Sequence, residues 1–129
     1  MAKFITGHEL NAELEKLFKD ASQSLILISP FVKLNPHYRS ALLTKKSADK
    51  LSIIVVFGKN ENDPSRSISR EDIDFFKQFP CIEIRYESRL HAKYYSSENA
   101  AIITSMNLYE FSQNNNIESG ILLQPPVLS

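Results

Sequence analysis

The sequence has one cysteine, no excess of either charge and no long apolar segment. Because Cys81 is the only cysteine, an internal disulfide framework and a cysteine-based zinc site are excluded. Fifteen basic and fifteen acidic residues give a formal charge of zero, so any surface for a polyanion must be local. No segment approaches the roughly 20 apolar residues of a membrane span, and the first residues do not resemble a signal peptide. We therefore expect a cytoplasmic protein that does not contact membranes.

The length and composition suit one domain. The chain has 129 residues, of which 43% are hydrophobic, and this is enough to form a single core. We therefore expect residues 1–129 to fold as one unit. The ending Gln124-Pro125-Pro126 cannot continue a central strand, and it fits either a natural stop or a boundary before a further segment. Cys81 stands at the start of a predicted strand, where we expect a buried structural thiol.

Apolar periodicity predicts alternating helices and strands. We expect helices between Gly7 and Ala21, from Pro36 to Leu43 and from Ser69 to Phe79, and strands over Ser24–Val32, Leu51–Phe57, Ile82–Tyr86, Leu90–Tyr95, Ala100–Thr104 and Ser119–Leu123. The polar segment from Lys59 to Arg70 is expected to be a mobile loop. This order predicts an α/β fold in which a mixed β-sheet is flanked by helices on both faces.

Reactive side chains are concentrated late in the chain, at His91, Lys93, Ser105, Asn107 and Glu118. Residues two apart in a strand point to the same face, so the histidine and the lysine should project together. If the next predicted strand folds back as a hairpin partner, the serine and the asparagine emerge at the same edge of the sheet. The sequence therefore predicts one polar site built from two strands.

This combination of side chains suits attack on a phosphodiester. A neutral imidazole can act as the nucleophile, while Lys93, Asn107 and Ser105 donate to the non-bridging oxygens as negative charge develops. Glu118 can accept a proton from the other ring nitrogen and so determine the tautomer of His91. The scheme needs no metal and no other cofactor. Taken singly, these residues also fit ordinary roles as a strand histidine, a solvated lysine and a turn asparagine.

The same residues resemble the active-site signature of the phospholipase D superfamily. That signature is His-x-Lys, an acidic residue, Gly-Ser-x-Asn and then Asn-x-Glu, and the matching segments here are His91-Ala92-Lys93, Glu98, Thr104-Ser105-Met106-Asn107 and Asn116-Ile117-Glu118. The sequence differs from this signature at two positions: Glu98 replaces the usual aspartate, and Thr104 replaces the usual glycine. There is also one residue fewer between the acid and the serine. Because Glu98 lies in a predicted turn, we expect it to shape a hairpin rather than take part in chemistry.

The resemblance implies an α-β-α sandwich and a role for each residue. His91 would form a covalent phosphohistidine, Lys93 and Asn107 would bind phosphate oxygens, Ser105 would be a supporting donor, and Glu118 would orient His91. Enzymes of this superfamily need two such motifs facing each other, and this chain has one. The resemblance to small bacterial single-motif members therefore implies a homodimer with a shared active site.

Three functions remain open at this point. The first is a metal-independent phosphodiesterase, a nuclease acting on DNA or RNA through a phosphohistidine intermediate. The second is a nucleic-acid or phosphate-binding module without efficient turnover, which the altered Glu98 and Thr104 support. The third is a phospholipid phosphodiesterase, which the lack of a membrane-binding helix disfavours. His8 and His37 have no neighbouring metal ligand at suitable spacing and are expected to have surface or packing roles.

Overall fold

The computed structural model describes residues 1–58, 63–109 and 116–125. These residues form nine strands, three α-helices and one short 3-10 helix. The strands are β1 (Ala2–Thr6), β2 (Ser24–Ile28), β3 (Val32–Lys33), β4 (Ser52–Gly58), β5 (Cys81–Glu87), β6 (Tyr94–Ser97), β7 (Ala101–Thr104), β8 (Leu108–Tyr109) and β9 (Ser119–Leu123). The helices are α1 (Gly7–Asp20), α2 (Pro36–Leu43) and α3 (Arg70–Phe76), and the 3-10 helix is Pro64–Arg66.

Seven of the strands form one mixed sheet in the order β1-β9-β7-β6-β2-β4-β5. The pairs β2–β4 and β4–β5 are parallel, and the four remaining pairs are antiparallel. The predicted α/β fold with a mixed sheet is therefore confirmed. The short strands β3 and β8 pair in parallel as a second, two-stranded sheet.

The three helices pack together over one face of the large sheet. Their apolar sides and the inward side chains of the strands, among them Leu27, Val55 and Tyr95, form a single buried core. Direct contacts join the helices: the rings of Phe18 and Tyr38 meet edge to face at 5.4 Å. Arg39 of α2 donates to the buried Asp72 of α3 at 2.6 Å. Because each helix contacts the next, the three helices form one layer.

The opposite face of the sheet carries apolar side chains that are only partly covered. Phe4, Ile103 and Leu123 retain 65%, 51% and 37% of their accessible surface. Strand alternation places them on the other side from the core residues Ile5, Ile102 and Leu122. Helices were expected on both faces, and the described helices account for one of them.

Two local expectations about the strands were incomplete. The sequence did not predict β1, a short strand whose alternation of exposed Phe4 and buried Ile5 places it at the edge of the sheet beside β9. The strand expected over Ser24–Val32 is divided into β2 and β3. Pro30 lacks an amide hydrogen and cannot continue the ladder, so the chain leaves the large sheet there and joins β8.

Two further expectations were wrong for described residues. Cys81 is exposed, because its position on β5 turns the thiol to the sheet face away from the helices, opposite exposed Ser52. Residues 59–62 of the expected loop lie outside the described residues. The remainder contains regular structure and buried groups: it forms the 3-10 helix, and the hydroxyl of buried Ser67 donates to the Gly58 carbonyl at 2.6 Å.

Glu98 ties the β6–β7 hairpin to the segment between α1 and β2. Its carboxylate accepts hydrogen bonds from the backbone N–H groups of Ser22, Gln23 and Ser24, at 2.9 to 3.2 Å. Partial burial by itself raises the pKa of this carboxyl. The hydrogen bonds from the backbone N–H groups together have a larger, opposite effect, and they lower the pKa to about 2. The expectation that Glu98 shapes the hairpin is consistent with these contacts.

We predict that the stabilising effect of Glu98 depends on pH. Since its pKa falls from an ordinary 4.5 to about 2 in the folded protein, its contribution is complete above pH 4.5 and is lost as the pH falls towards 2. Urea denaturation of wild type and Glu98→Gln should therefore show a difference in the free energy of unfolding that is constant near neutral pH and shrinks below pH 4.5. Glu83→Gln, on an exposed carboxylate paired with Arg85, is the matched control. A difference that is the same at pH 7 and pH 2.5 would contradict this role.

Candidate active site at one sheet edge

The residues predicted to form the site lie at the ends of three neighbouring strands. β6 begins at Tyr94, its neighbour β7 ends at Thr104, and the next strand, β9, begins at Ser119. Because β7 is antiparallel to both neighbours, these three strand ends share one edge of the sheet. The segments that carry His91 and Lys93, Ser105 and Asn107, and Glu118 therefore approach one another there.

His91 and Lys93 precede β6 rather than belong to it, so the strand expected over Leu90–Tyr95 was placed too early. A turn at the end of β5, in which the Leu90 amide donates to the Glu87 carbonyl, leads into this segment. The neighbouring strand β2 pairs with β6 only up to Ile28, which leaves the residues before Tyr94 without that partner.

The segment nevertheless stays next to the end of β7. The Lys93 carbonyl accepts a hydrogen bond from the Thr104 amide at 3.4 Å, which extends the antiparallel register by one pair. The Lys93 side chain is half-buried and the His91 side chain is exposed. The histidine ring is therefore accessible from solvent.

Ser105 and Glu118 are brought into direct contact. The Ser105 hydroxyl donates to Oε2 of Glu118 at 2.5 Å and accepts from the Ser119 amide at 3.2 Å. The Ser105 amide in turn donates to the Ser119 carbonyl at 3.1 Å. These bonds hold the end of β7 against the start of β9. The carboxylate expected to orient His91 thus binds Ser105, and its action on His91 stays a prediction.

Two buried hydroxyl groups to which the sequence assigned no role contact Asn107 or its neighbours in the chain. Oγ of Ser29, which is fully buried, is 3.4 Å from Oδ1 of Asn107 and accepts from the Leu108 amide at 2.9 Å. The hydroxyl of buried Tyr95 donates to the Met106 carbonyl at 2.8 Å. The only sequence signal for Ser29 is a polar residue at the end of an otherwise apolar strand segment.

The other candidate residues are Glu98, His8 and His37. Glu98 follows the opposite end of β6, which separates it from the chemistry expected of the site. His8 and His37 lie on α1 and α2, as expected, and line one cleft between these helices. In residues 1–58, 63–109 and 116–125, no cluster of three or more His, Cys, Asp or Glu side chains is arranged to hold a metal ion. None of the helices described is long and apolar enough to span a membrane.

The sequence matches no protein-family model and no sequence among the curated proteins. Solved structures, in contrast, resemble the fold closely. Nuc from Salmonella typhimurium, a phospholipase D family member, has a TM-score of 0.70 at 15% identity, over 96% of this chain and 84% of its own. NucT from Helicobacter pylori has a TM-score of 0.71 at 9% identity, over 95% and 84% of the two chains.

A third structure extends the likeness to a larger protein. TrmBL2, an archaeal chromatin protein described as binding DNA in a novel mode, has a TM-score of 0.64 at 12% identity, and the match covers 96% of this chain and 45% of TrmBL2. Identities this low establish a shared architecture and no more. With its seven-stranded mixed sheet and its helical layer, the chain shares the fold of Nuc, a phospholipase D family member.

Proposed function

We propose that this protein is a metal-independent phosphodiesterase that cleaves DNA or RNA through a covalent phosphohistidine at a homodimeric active site. The observation that carries this proposal is the convergence of three strand ends, β6, β7 and β9, at one sheet edge. They bring a histidine, a lysine, a serine, an asparagine and a glutamate to the same edge. The histidine supplies a nucleophile, and the lysine, the serine and the asparagine supply hydrogen-bond donors for a phosphate. The glutamate supplies a carboxylate that balances positive charge.

In the proposed reaction, His91 attacks phosphorus with a neutral ring nitrogen. The Lys93 ammonium and the Asn107 amide donate to the non-bridging oxygens, where negative charge increases in the transition state. Donors that are already positioned contribute most, because they need no reorganisation as the reaction proceeds. The exposed position of His91 leaves room for a long polymer to cross the edge.

Glu118 has two tasks in this proposal. Its carboxylate accepts a hydrogen bond from the Ser105 hydroxyl, with 2.5 Å between the two oxygens, and this bond keeps both residues in place. When phosphate binds, the same carboxylate stabilises positive charge on the His91 ring and orients it. Ser105 then acts as a supporting donor through its position between Glu118 and the Ser119 amide.

The covalent step needs an acid as well as a nucleophile. A bond forms between His91 and phosphorus while the bond to the leaving oxygen breaks, and a protonated histidine donates its proton to that oxygen. Water then attacks phosphorus, the second histidine takes the water proton, and the bond between nitrogen and phosphorus breaks. Because each chain has one His-x-Lys segment, we assign the second role to His91 of the partner subunit.

The proposed mechanism needs no metal, so activity should persist in excess chelator. Purified protein should cleave labelled single- or double-stranded DNA or RNA in EDTA, and His91→Ala should lower kcat by at least about 10³-fold because it removes the nucleophile. His37→Ala, which removes another exposed histidine, should cleave like wild type. Acid quenching followed by mass spectrometry should detect a nucleotide adduct on the peptide that contains His91.

Three results would overturn the proposal in different ways. Cleavage that requires magnesium in both wild type and His91→Ala would exclude the histidine mechanism. Tight binding of DNA without cleavage would favour the binding module, a role consistent with the DNA binding described for TrmBL2. Cleavage of phospholipid vesicles in the same buffer, with nucleic acids left intact, would instead assign a lipid substrate.

The shared active site can be tested by combining active and inactive subunits. Wild type and inactive His91→Ala are unfolded, mixed in equal amounts and refolded, so that subunits associate at random. If one site needs both histidines, only pairs of wild-type chains are active and activity falls to about one quarter, whereas independent sites retain about one half. Sedimentation at the assay concentration should give the mass of a dimer. A monomeric mass, or activity that is only halved, would refute the shared site.

A further inference from the structure

Two buried hydroxyl groups bracket Asn107 on the core side of the sheet edge. Ser29 follows β2 and Tyr95 belongs to β6, and both side chains are fully buried. A buried hydroxyl without a hydrogen bond costs free energy, so the partners of these two groups show what they hold in place. Both groups bind the backbone on either side of Asn107.

Ser29 acts on the residue after Asn107. Its Oγ accepts from the Leu108 amide at 2.9 Å, and its proton goes to the Phe31 carbonyl at 2.6 Å. Leu108 is also paired with Val32 in the two-stranded sheet. The end of β2 and the start of β8 are therefore joined through one serine side chain.

Tyr95 acts on the residue before Asn107, donating to the Met106 carbonyl at 2.8 Å. Burial raises the pKa of Tyr95 well above its ordinary value, so the hydroxyl keeps its proton and remains a donor. With Met106 and Leu108 both held, the backbone of Asn107 has little freedom.

The side chain of Asn107 is affected as well. Oγ of Ser29 also lies 3.4 Å from Oδ1 of Asn107, so the one hydroxyl proton is shared between this oxygen and the closer Phe31 carbonyl. An asparagine amide has an acceptor on one side and its only donors on the other. When the oxygen faces Ser29, the NH₂ group remains for a phosphate oxygen.

We propose that Ser29 and Tyr95 are positioning residues that hold Asn107 ready to donate to the scissile phosphate. This inference rests on the proposed phosphodiesterase function. Neither residue touches the substrate. They act by removing the backbone and amide rotations that Asn107 would otherwise lose only when the phosphate binds, and misplaced catalytic groups lower rates steeply.

The experiment is a double-mutant cycle on kcat. Ser29→Ala and Tyr95→Phe each remove one hydroxyl without adding volume, and each should lower kcat about 10- to 100-fold while KM changes little. Asn107→Ala should lower kcat about 10²- to 10³-fold. In the Asn107→Ala background, Ser29→Ala should cause no further loss beyond about twofold, because its effect passes through the missing amide.

Tyr38→Phe is the matched control for a buried hydroxyl. Tyr38 is also buried, and its hydroxyl donates to Asn11 Oδ1 at 2.8 Å in the helical layer. This variant should lower stability as much as Tyr95→Phe does and leave kcat unchanged. Losses of kcat that follow stability equally in all three variants, or that multiply with Asn107→Ala, would overturn the positioning role.

A measurement without turnover separates this inference from the proposed function. Amide hydrogen exchange by NMR should be faster at Leu108 in Ser29→Ala, and the side-chain amide signals of Asn107 should shift in both variants, while the amide of Val55 in β4 stays protected. Unchanged Leu108 exchange and unchanged Asn107 signals would refute the inference even in an active enzyme. An inactive wild type with these changes would refute the phosphodiesterase and retain the effect of the two hydroxyls on Asn107.

Discussion

The antiparallel pairing of β7 with β6 and β9 is the constraint on which the site depends. Tyr94 pairs with Ile103, and Ile103 pairs with Ile121, so the register of β6, β7 and β9 sets these residues side by side. A shift by two residues would separate Ser105 from Glu118. Gly120 permits this close approach, because a Cβ atom there would lie 2.9 Å from the Ile103 carbonyl. A larger residue would push β9 away from β7 and disturb the edge that carries the reactive groups.

The helical layer supports this edge from one side. Its charged centre is the contact of Arg39 with the buried Asp72 carboxylate, which also accepts the Leu34 amide at 3.3 Å. The guanidinium lies 4.7 Å from the centre of the Phe75 ring. These contacts hold α2 against α3 and, through Leu34, the segment that follows β3. β3 pairs with β8, and β8 begins directly after Asn107. The contacts of the helical layer therefore also support the backbone at this edge of the sheet.

Polar side chains hold backbone segments in place at two opposite ends of β6. At the far end, Glu98 holds the α1–β2 segment with its carboxylate. At the near end, the hydroxyls of Ser29 and Tyr95 hold the backbone around Asn107. Paired buried polar groups impose one arrangement on the backbone, since any other would leave them unsatisfied. The support of the proposed site therefore comes from its core side, while His91 and Ser105 are exposed to solvent.

Local pattern predicted most of the element types and the candidate residues. Helical periodicity predicted α1, apolar segments predicted β2 and β4, and the spacing of His91, Lys93, Ser105, Asn107 and Glu118 identified one polar edge. These features depend on neighbours in sequence, so a single chain reveals them. The catalytic roles of the five residues and the homodimer stay predictions.

Tertiary structure decided the features that depend on distant partners. β1 forms because β9 offers it an open edge, and β6 begins only where β2 can pair with it, after His91 and Lys93. Cys81 is exposed because the helices cover the other face of its strand. The hydroxyl of Ser29 meets Leu108 across 79 positions of the chain, and no local pattern encodes such a contact. The sequence by itself determined which side chains are candidates for the chemistry, and only strand pairing decided which groups hold them, because hydrogen bonds between distant segments exist only in the assembled sheet.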